Sequence, residues 1–121
     1  MIKEIENLPK NVVGFSYIGK VTGKDYESVV FPAVEKATKG KKKINILITF
    51  EKSFDKISLK AMVDDSIVGL KYIKSWKKIA IVSDHNKINH LIKAFSFLVP
   101  AEIKIFTLSK IDKALVWILK K

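Results

Sequence analysis

The feature that most constrains this chain is a rhythm that begins near Val12 and runs to its end. A short apolar run of strand length is followed by a helix-starting residue and an amphipathic helical stretch, and the unit then recurs. Strands joined through helices lie parallel, because a return to the same end of the sheet needs a crossover, and that crossover is right-handed. The rhythm therefore predicts one α/β domain over residues 1–121 with helices packed around a mainly parallel sheet. A chain of 121 residues has room for one full core.

The individual segments can be read from their periodicity. Ile2 to Ile5 and Val12 to Ile18 are β-compatible runs, separated by the turn-rich spacer Asn7-Leu8-Pro9-Lys10-Asn11, and their spacing suits a hairpin. Thr22 precedes a first helix in which Tyr26, Val29, Val30, Ala33, Val34 and Ala37 share one face. Pro32 removes one backbone donor, so a kink or a late start is expected there. Lys43 to Phe50 reads as the centre of the sheet, because Ile44, Ile46, Leu47, Ile48 and Phe50 make both of its faces apolar. Glu51 to Ile57 reads as a polar loop, after which Ser58 caps a helix carrying Leu59, Met62, Val63, Ile67, Leu70 and Ile73.

Lys78 to Ser83 is the next strand, and Asp84 is placed to cap a helix that turns Ile88, Leu91, Ile92 and Phe95 inward. Glu102 to Thr107 is the last strand. Ser109 is placed to cap a final helix with Ile111, Ala114, Leu115 and Ile118 inward. The order is ββαβαβαβα, an N-terminal β-hairpin followed by about four helices alternating with strands.

Composition excludes several classes. Zero cysteines rule out disulfides, thiolate catalysis and cysteine-bound metal. The longest nearly unbroken apolar stretches, Ile44 to Phe50 and Phe95 to Ala101, fall far short of the roughly 20 residues that a helix needs to cross a bilayer. The N-terminus carries acidic residues where a secretory signal carries basic ones, so cytoplasmic residence is expected. The net charge of +11 invites a nucleic-acid reading, but all 23 basic residues are lysine and they are spread over every segment. Base-edge reading and bidentate phosphate gripping favour the planar fork of arginine, so the charge is read as solvated surface, compatible with weak contact at an anionic membrane surface.

Several strings point to a family. Leu8-Pro9-x-Asn11-Val12-Val13-Gly14-Phe15, Gly19-Lys20-Val21-Thr22-Gly23-x-Asp25-Tyr26-Glu27, Ser58-Leu59-x-Ala61-Met62-x-Asp64-Asp65, and Val82-Ser83-Asp84-His85 followed by Ala94-Phe95-x-Phe97-Leu98-x-Pro100 together resemble the small bacterial SpoIIAA-like proteins. The resemblance spans nearly the whole chain. It implies a fold related to the STAS domain of anti-sigma-factor antagonists and to the lipid-binding CRAL-TRIO (Sec14-like) fold, in a family largely without assigned biochemical activity. It also implies a place to look, the loop after the central strand, where antagonists carry a phosphorylatable serine. Ser58 is the matching position, although Asp55-Lys56-Ile57-Ser58 stands where the antagonists have Asp-Ser-Ser-Gly. Helix capping by itself accounts for a serine there.

Other candidate residues follow from the residues themselves. Ser83-Asp84-His85 falls at the carboxyl end of a parallel strand, where open α/β sheets place ligands, and a histidine there suits proton transfer near neutral pH. Helix capping by Asp84 and an exposed first turn for His85 explain the same residues without chemistry. His90 lies five residues on, about 140° around a helix from His85, so the pair does not form a metal site. Asp64 and Asp65 diverge by about 100° and do not share a substrate. No catalytic constellation, cofactor or metal site is read from the chain. Trp76, Phe95, Phe97, Leu98 and Val99 exceed what one inward stripe accommodates, which suggests an apolar pocket or a self-association face. The resulting expectation is a non-enzymatic regulatory module that meets a protein partner or a second copy of itself as a homodimer. The alternative is a carrier of a small apolar ligand or lipid.

Overall fold

The structure is a computed structural model that describes residues 1–39, 43–58, 75–98 and 101–120. Five strands form one sheet in the order β1-β2-β4-β6-β7. β1 (Ile2–Ile5) and β2 (Val12–Tyr17) make the expected antiparallel hairpin, with Ile2 opposite Tyr17 and Ile5 opposite Gly14. Asn7 and Asn11 in its loop take positive φ, 62° and 71°, a region that asparagine enters more readily than most residues. β4 (Ile44–Phe50), β6 (Trp76–Val82) and β7 (Glu102–Phe106) extend the sheet in parallel from β2. β4 is the central strand, as its two apolar faces require.

Alternation along these strands divides the core in two. Ile46, Ile48 and Phe50 of β4, with Ile79 and Ile81 of β6 and Ile103 and Ile105 of β7, belong to the layer that also takes in Tyr26, Val30 and Val34 from the first helix and Ile88 and Ile92 from the helix after β6. Leu47, Ala80 and Val82 belong to the opposite layer, against Ala114 and Ile118 of the last helix. Gly14 lies where a Cβ would stand 2.5 Å from Leu8 Cδ1 and 3.2 Å from Ile5 Cβ, so its missing side chain lets the hairpin loop fold onto the sheet.

The helices depart from the sequence reading in instructive ways. The first, α1, consists of an α turn (Gly23–Asp25), a π segment (Tyr26–Val30) and an α segment (Phe31–Ala37). Pro32 cannot donate to the residue four before it, and the chain absorbs this by widening the preceding turn, with the Phe31 amide donating to Tyr26 O. α2 runs Asn86–Phe95 and α3 runs Ile111–Leu119. The helix expected from Ser58 through Ile73 lies outside the described residues, apart from Ser58 itself.

Four local expectations are corrected. Asp84 does not cap α2; His85 holds the N-cap position, and Asp84 Oδ1 accepts from the Leu108 amide at 3.0 Å, tying the β6 end to the β7–α3 connection. Leu91 is 43% exposed, because Asn89 Nδ2 donates to Ser83 O and turns α2 so that Ile88, Ile92 and Asn89 face the sheet. Ser109 does not cap α3, since a 3-10 turn (Leu108–Lys110) intervenes and Lys110 becomes the N-cap. The loop after β4 is less polar than expected. Phe54 is buried, and Lys56–Ile57 forms a short strand, β5, parallel to a strand equally absent from the reading, β3 (Lys20–Val21).

α3 is fastened to the sheet at its C-terminus. Lys78 and Asn45 sit side by side on β6 and β4. Lys78 Nζ donates to Trp117 O at 3.0 Å and Lys120 O at 2.6 Å, and Asn45 Nδ2 donates to Ile118 O at 3.3 Å. The ammonium also stands 5.1 Å from the centre of the Trp117 ring. A helix end leaves carbonyls unpaired and carries partial negative charge, so one buried cation answers both needs. Lys78→Met, which keeps the apolar stem, is expected to lower the unfolding free energy by about 2 kcal/mol, the scale of charged hydrogen bonds lost. Urea denaturation checks this, and a change near zero would mean that water satisfies the carbonyls equally well.

Candidate functional site

The carboxyl ends of β2, β4 and β6 meet at one edge of the sheet, and the segment from Glu51 to Ser58 lies across them. It is pinned on both sides. On the β6 side, His85 Nε2 lies 3.0 Å from Glu51 O. A carbonyl only accepts, so Nε2 carries the proton in this arrangement. The same imidazole packs edge-on against Phe54 with ring centres 5.3 Å apart. On the other side, the Asp55 amide donates to Gly19 O and the Ser58 amide to Val21 O, both at 2.8 Å.

An aromatic row supports the segment from below. Tyr26 meets Tyr17, Tyr17 meets Phe50, and Phe50 meets Phe54, with ring centres 6.1, 4.9 and 4.9 Å apart in edge-to-face geometry. Edge-to-face packing sets a positive ring edge on a negative face, which fixes relative orientation as well as burying area. The Tyr17 and Tyr26 hydroxyls lie 2.7 Å apart within this core.

Ser58 is half-buried immediately after β5. Its position depends on β3, and β3 leads into a firmly held turn. The Thr22 amide and Oγ1 both donate to Asp25 Oδ2, at 2.8 and 3.0 Å, and the Met1 ammonium stands 3.5 Å from the same oxygen. Burial raises the Asp25 pKa, but the two Thr22 hydrogen bonds and the ammonium outweigh it and hold the carboxyl below its ordinary value.

The structure separates the residues of the Ser83-Asp84-His85 turn. Ser83 is buried, and its Oγ accepts from the His85 amide at 3.1 Å. The Asp84 carboxylate goes to Leu108 and the His85 ring to Phe54 and Glu51, so the two do not form an acid–base pair. His85 is half-buried rather than on an exposed turn. Trp76 is 5% exposed within the core at the start of β6 and so is not part of an apolar surface. Phe97 is 79% exposed in the 3-10 turn Ser96–Leu98 that follows α2. Phe95 closes α2 and Leu98 closes that turn; their side chains, and Val99, are outside what the structure describes.

One polar cluster escaped the sequence reading. Thr49 Oγ1 is buried, 3.0 Å from Ser16 Oγ and 3.4 Å from Glu51 Oε1. The available signal was a polar residue one place before the end of each of two largely apolar strands, and the register pairs those two residues. Among the described residues no group of three or more histidine, cysteine, aspartate or glutamate side chains is arranged to hold a metal ion. No helix among them is long and apolar enough to cross a membrane.

The mixed α/β fold with its mostly parallel sheet agrees with what comparison shows. The SpoIIAA-like family model matches residues 12–119. The chain belongs to the SpoIIAA-like family. A solved structure similar to this SpoIIAA-like chain is that of an uncharacterised DUF3478-family protein with a SpoIIAA-like fold from Shewanella loihica. It is 30% identical, with a TM-score of 0.80 over 98% of this chain and 92% of that one. No curated protein matches the chain.

The Asp25 turn gives this SpoIIAA-like domain a defined acid response. Because the folded pKa is depressed, the carboxylate contributes stability that is present above the ordinary aspartate value of about 3.9 and is lost as pH falls through the lower folded value. The stability gap between the wild type and Asp25→Asn is therefore expected to be widest near neutral pH and to close below about pH 4. Urea titrations of both proteins across that range check it.

Proposed function

We propose that this domain is a non-enzymatic regulatory module that binds a protein partner at the carboxyl end of its sheet, beside Ser58. The observation that carries the reading is the commitment of the polar groups there to the protein itself. His85, Asp84, Ser83 and the Thr22–Asp25 turn all spend hydrogen bonds on holding the Glu51–Ser58 segment or its neighbours in place. A rigid, internally bonded surface suits recognition, where preorganisation lowers the ordering cost of binding, better than it suits proton transfer. Ser58 is half-buried at the end of that segment, and phosphate added there would change the charge the segment presents. Membership of the SpoIIAA-like family is compatible with such a module.

A second reading has one specific observation in its favour. A cleft of about 250 Å³ lies between α2 and β7, lined by Ile92, Ile103 and Ile105 with Lys93, Ser96 and Lys104. Its apolar residues suit a small apolar ligand carried by the domain.

Two measurements separate the readings. A photo-crosslinking residue at exposed Lys56 is expected to trap a partner in cells. With that partner purified, Ser58→Asp is expected to weaken binding by about tenfold, or 1.4 kcal/mol, while the melting temperature is unchanged and Ser58→Ala binds normally. Equal binding by all three proteins would remove the Ser58 surface from the reading. Native mass spectrometry of freshly purified protein is expected to give the bare chain mass, whereas an added mass lost on denaturation would establish the carrier.

A further inference from the structure

β7 is the last strand of the sheet and pairs, among the described residues, only with β6. The direction of its free backbone groups follows from one bond. The Ser83 amide donates to Phe106 O, so Phe106 uses its main chain toward β6. Successive residues of a strand present their amide and carbonyl to opposite sides, and Val82 pairs with Phe106 in unbroken register back to Lys78 with Glu102. Glu102, Lys104 and Phe106 therefore bond to β6, while the amides and carbonyls of Ile103 and Ile105 point away from the sheet.

The side chains of the same two isoleucines face α2. They line the cleft of about 250 Å³ whose other wall is Ile92, Lys93 and Ser96 of α2 and the turn after it. An edge strand with open hydrogen-bonding groups beside an apolar groove under a helix has the parts needed for strand addition. Main-chain bonds supply affinity, and alternate side chains of the added strand enter the groove. Edge strands left open invite pairing, and proteins ordinarily blunt them.

Charge selects the occupant. Lys93 lines the cleft, Lys87 is exposed on the same helix, and the chain carries +11 overall; Lys104 and Glu102, the one acid on β7, alternate with the two isoleucines onto the other face, where the Lys104 ammonium stands 5.5 Å from the centre of the Phe106 ring. The exposed Phe97 stands just past Ser96 at the groove's end. We propose that the outer edge of β7, with the α2 groove beside it, binds an extended segment of a partner protein in which acidic and apolar residues alternate, adding it to the sheet as a further strand. The proposal rests on the protein-interaction reading above and names a partner chemistry for it, at a surface separate from Ser58.

A displayed library of randomised heptapeptides, selected on the intact protein, tests this. Enrichment of alternating acidic and apolar sequences is expected, with the Ile103 and Ile105 amides protected from hydrogen exchange when a selected peptide is bound. Ile105→Pro deletes an outward amide that no bond among the described residues uses, which an edge strand tolerates, and is expected to weaken those peptides by about tenfold or more. Should Ile105→Pro fail to fold by circular dichroism, Lys93→Glu, on an exposed helix position, is expected to weaken them to a similar extent. Selected peptides that bind wild type and both variants equally would overturn the β7 groove while leaving a protein-interaction module intact. No enrichment over an unrelated domain would overturn the groove as well, with the Lys56 crosslink then deciding the broader reading. A dimer in sedimentation that Ile105→Pro dissociates would also overturn it, by assigning the edge to a second copy of the chain.

Discussion

Everything in this fold is arranged around a strand that has no wet side. β4 is covered on both faces and paired on both edges, so each of its side chains must enter one of two cores and each polar one must find a partner within them. Asn45 does so through Nδ2 with the end of α3, leaving its Oδ1 without a partner among the described residues, and Thr49 does so with Ser16 and Glu51. The apolar positions divide by alternation, with Leu47 under α3 and Ile46 and Phe50 under α1. The helices pack where they do because that division leaves two apolar surfaces and no third.

The two ends of the sheet are then secured by different physics. At the amino end a buried cation, Lys78, closes the carbonyl terminus of α3, an electrostatic and hydrogen-bonded fastening. At the carboxyl end the fastening is a row of aromatic rings from Tyr26 to His85, with short backbone bonds at either side of the Glu51–Ser58 segment. The first resists separation of a helix from the sheet. The second holds a surface segment to one shape.

The two surfaces proposed to bind partners lie at different places on the fold. Ser58 follows β5, where the small β3–β5 ribbon leaves the main sheet, and the groove beside β7 is where the sheet ends under α2. The two are built from different elements, which permits one domain to meet two partners or one partner at two places. Their chemistry differs as well, since the first is a fixed polar surface and the second an open hydrogen-bonding edge beside isoleucine and lysine.

How much of this was legible in the chain follows from the range of each interaction. The five strands of the main sheet, their order along the chain, the hairpin and the central place of β4 could be read in advance, whereas the two-residue β3 and β5 could not, because apolar alternation and helical spacing are local but need more than two residues to show. Pro32 likewise announced a disturbance in α1, and only its form, a widened turn, came from packing. The sequence could not disclose that Asp84 would leave its own helix for Leu108, that Asn89 would rotate α2 and expose Leu91, or that Lys78 would be buried beneath Trp117. Each of those depends on a partner twenty or more residues away, or on the angle at which a helix meets the sheet. The candidate surfaces were half legible for the same reason. Ser58, His85 and Phe97 stood out as residue types at suggestive positions, but what surrounds each within the fold was decided only when distant carbonyls, rings and strands were brought together.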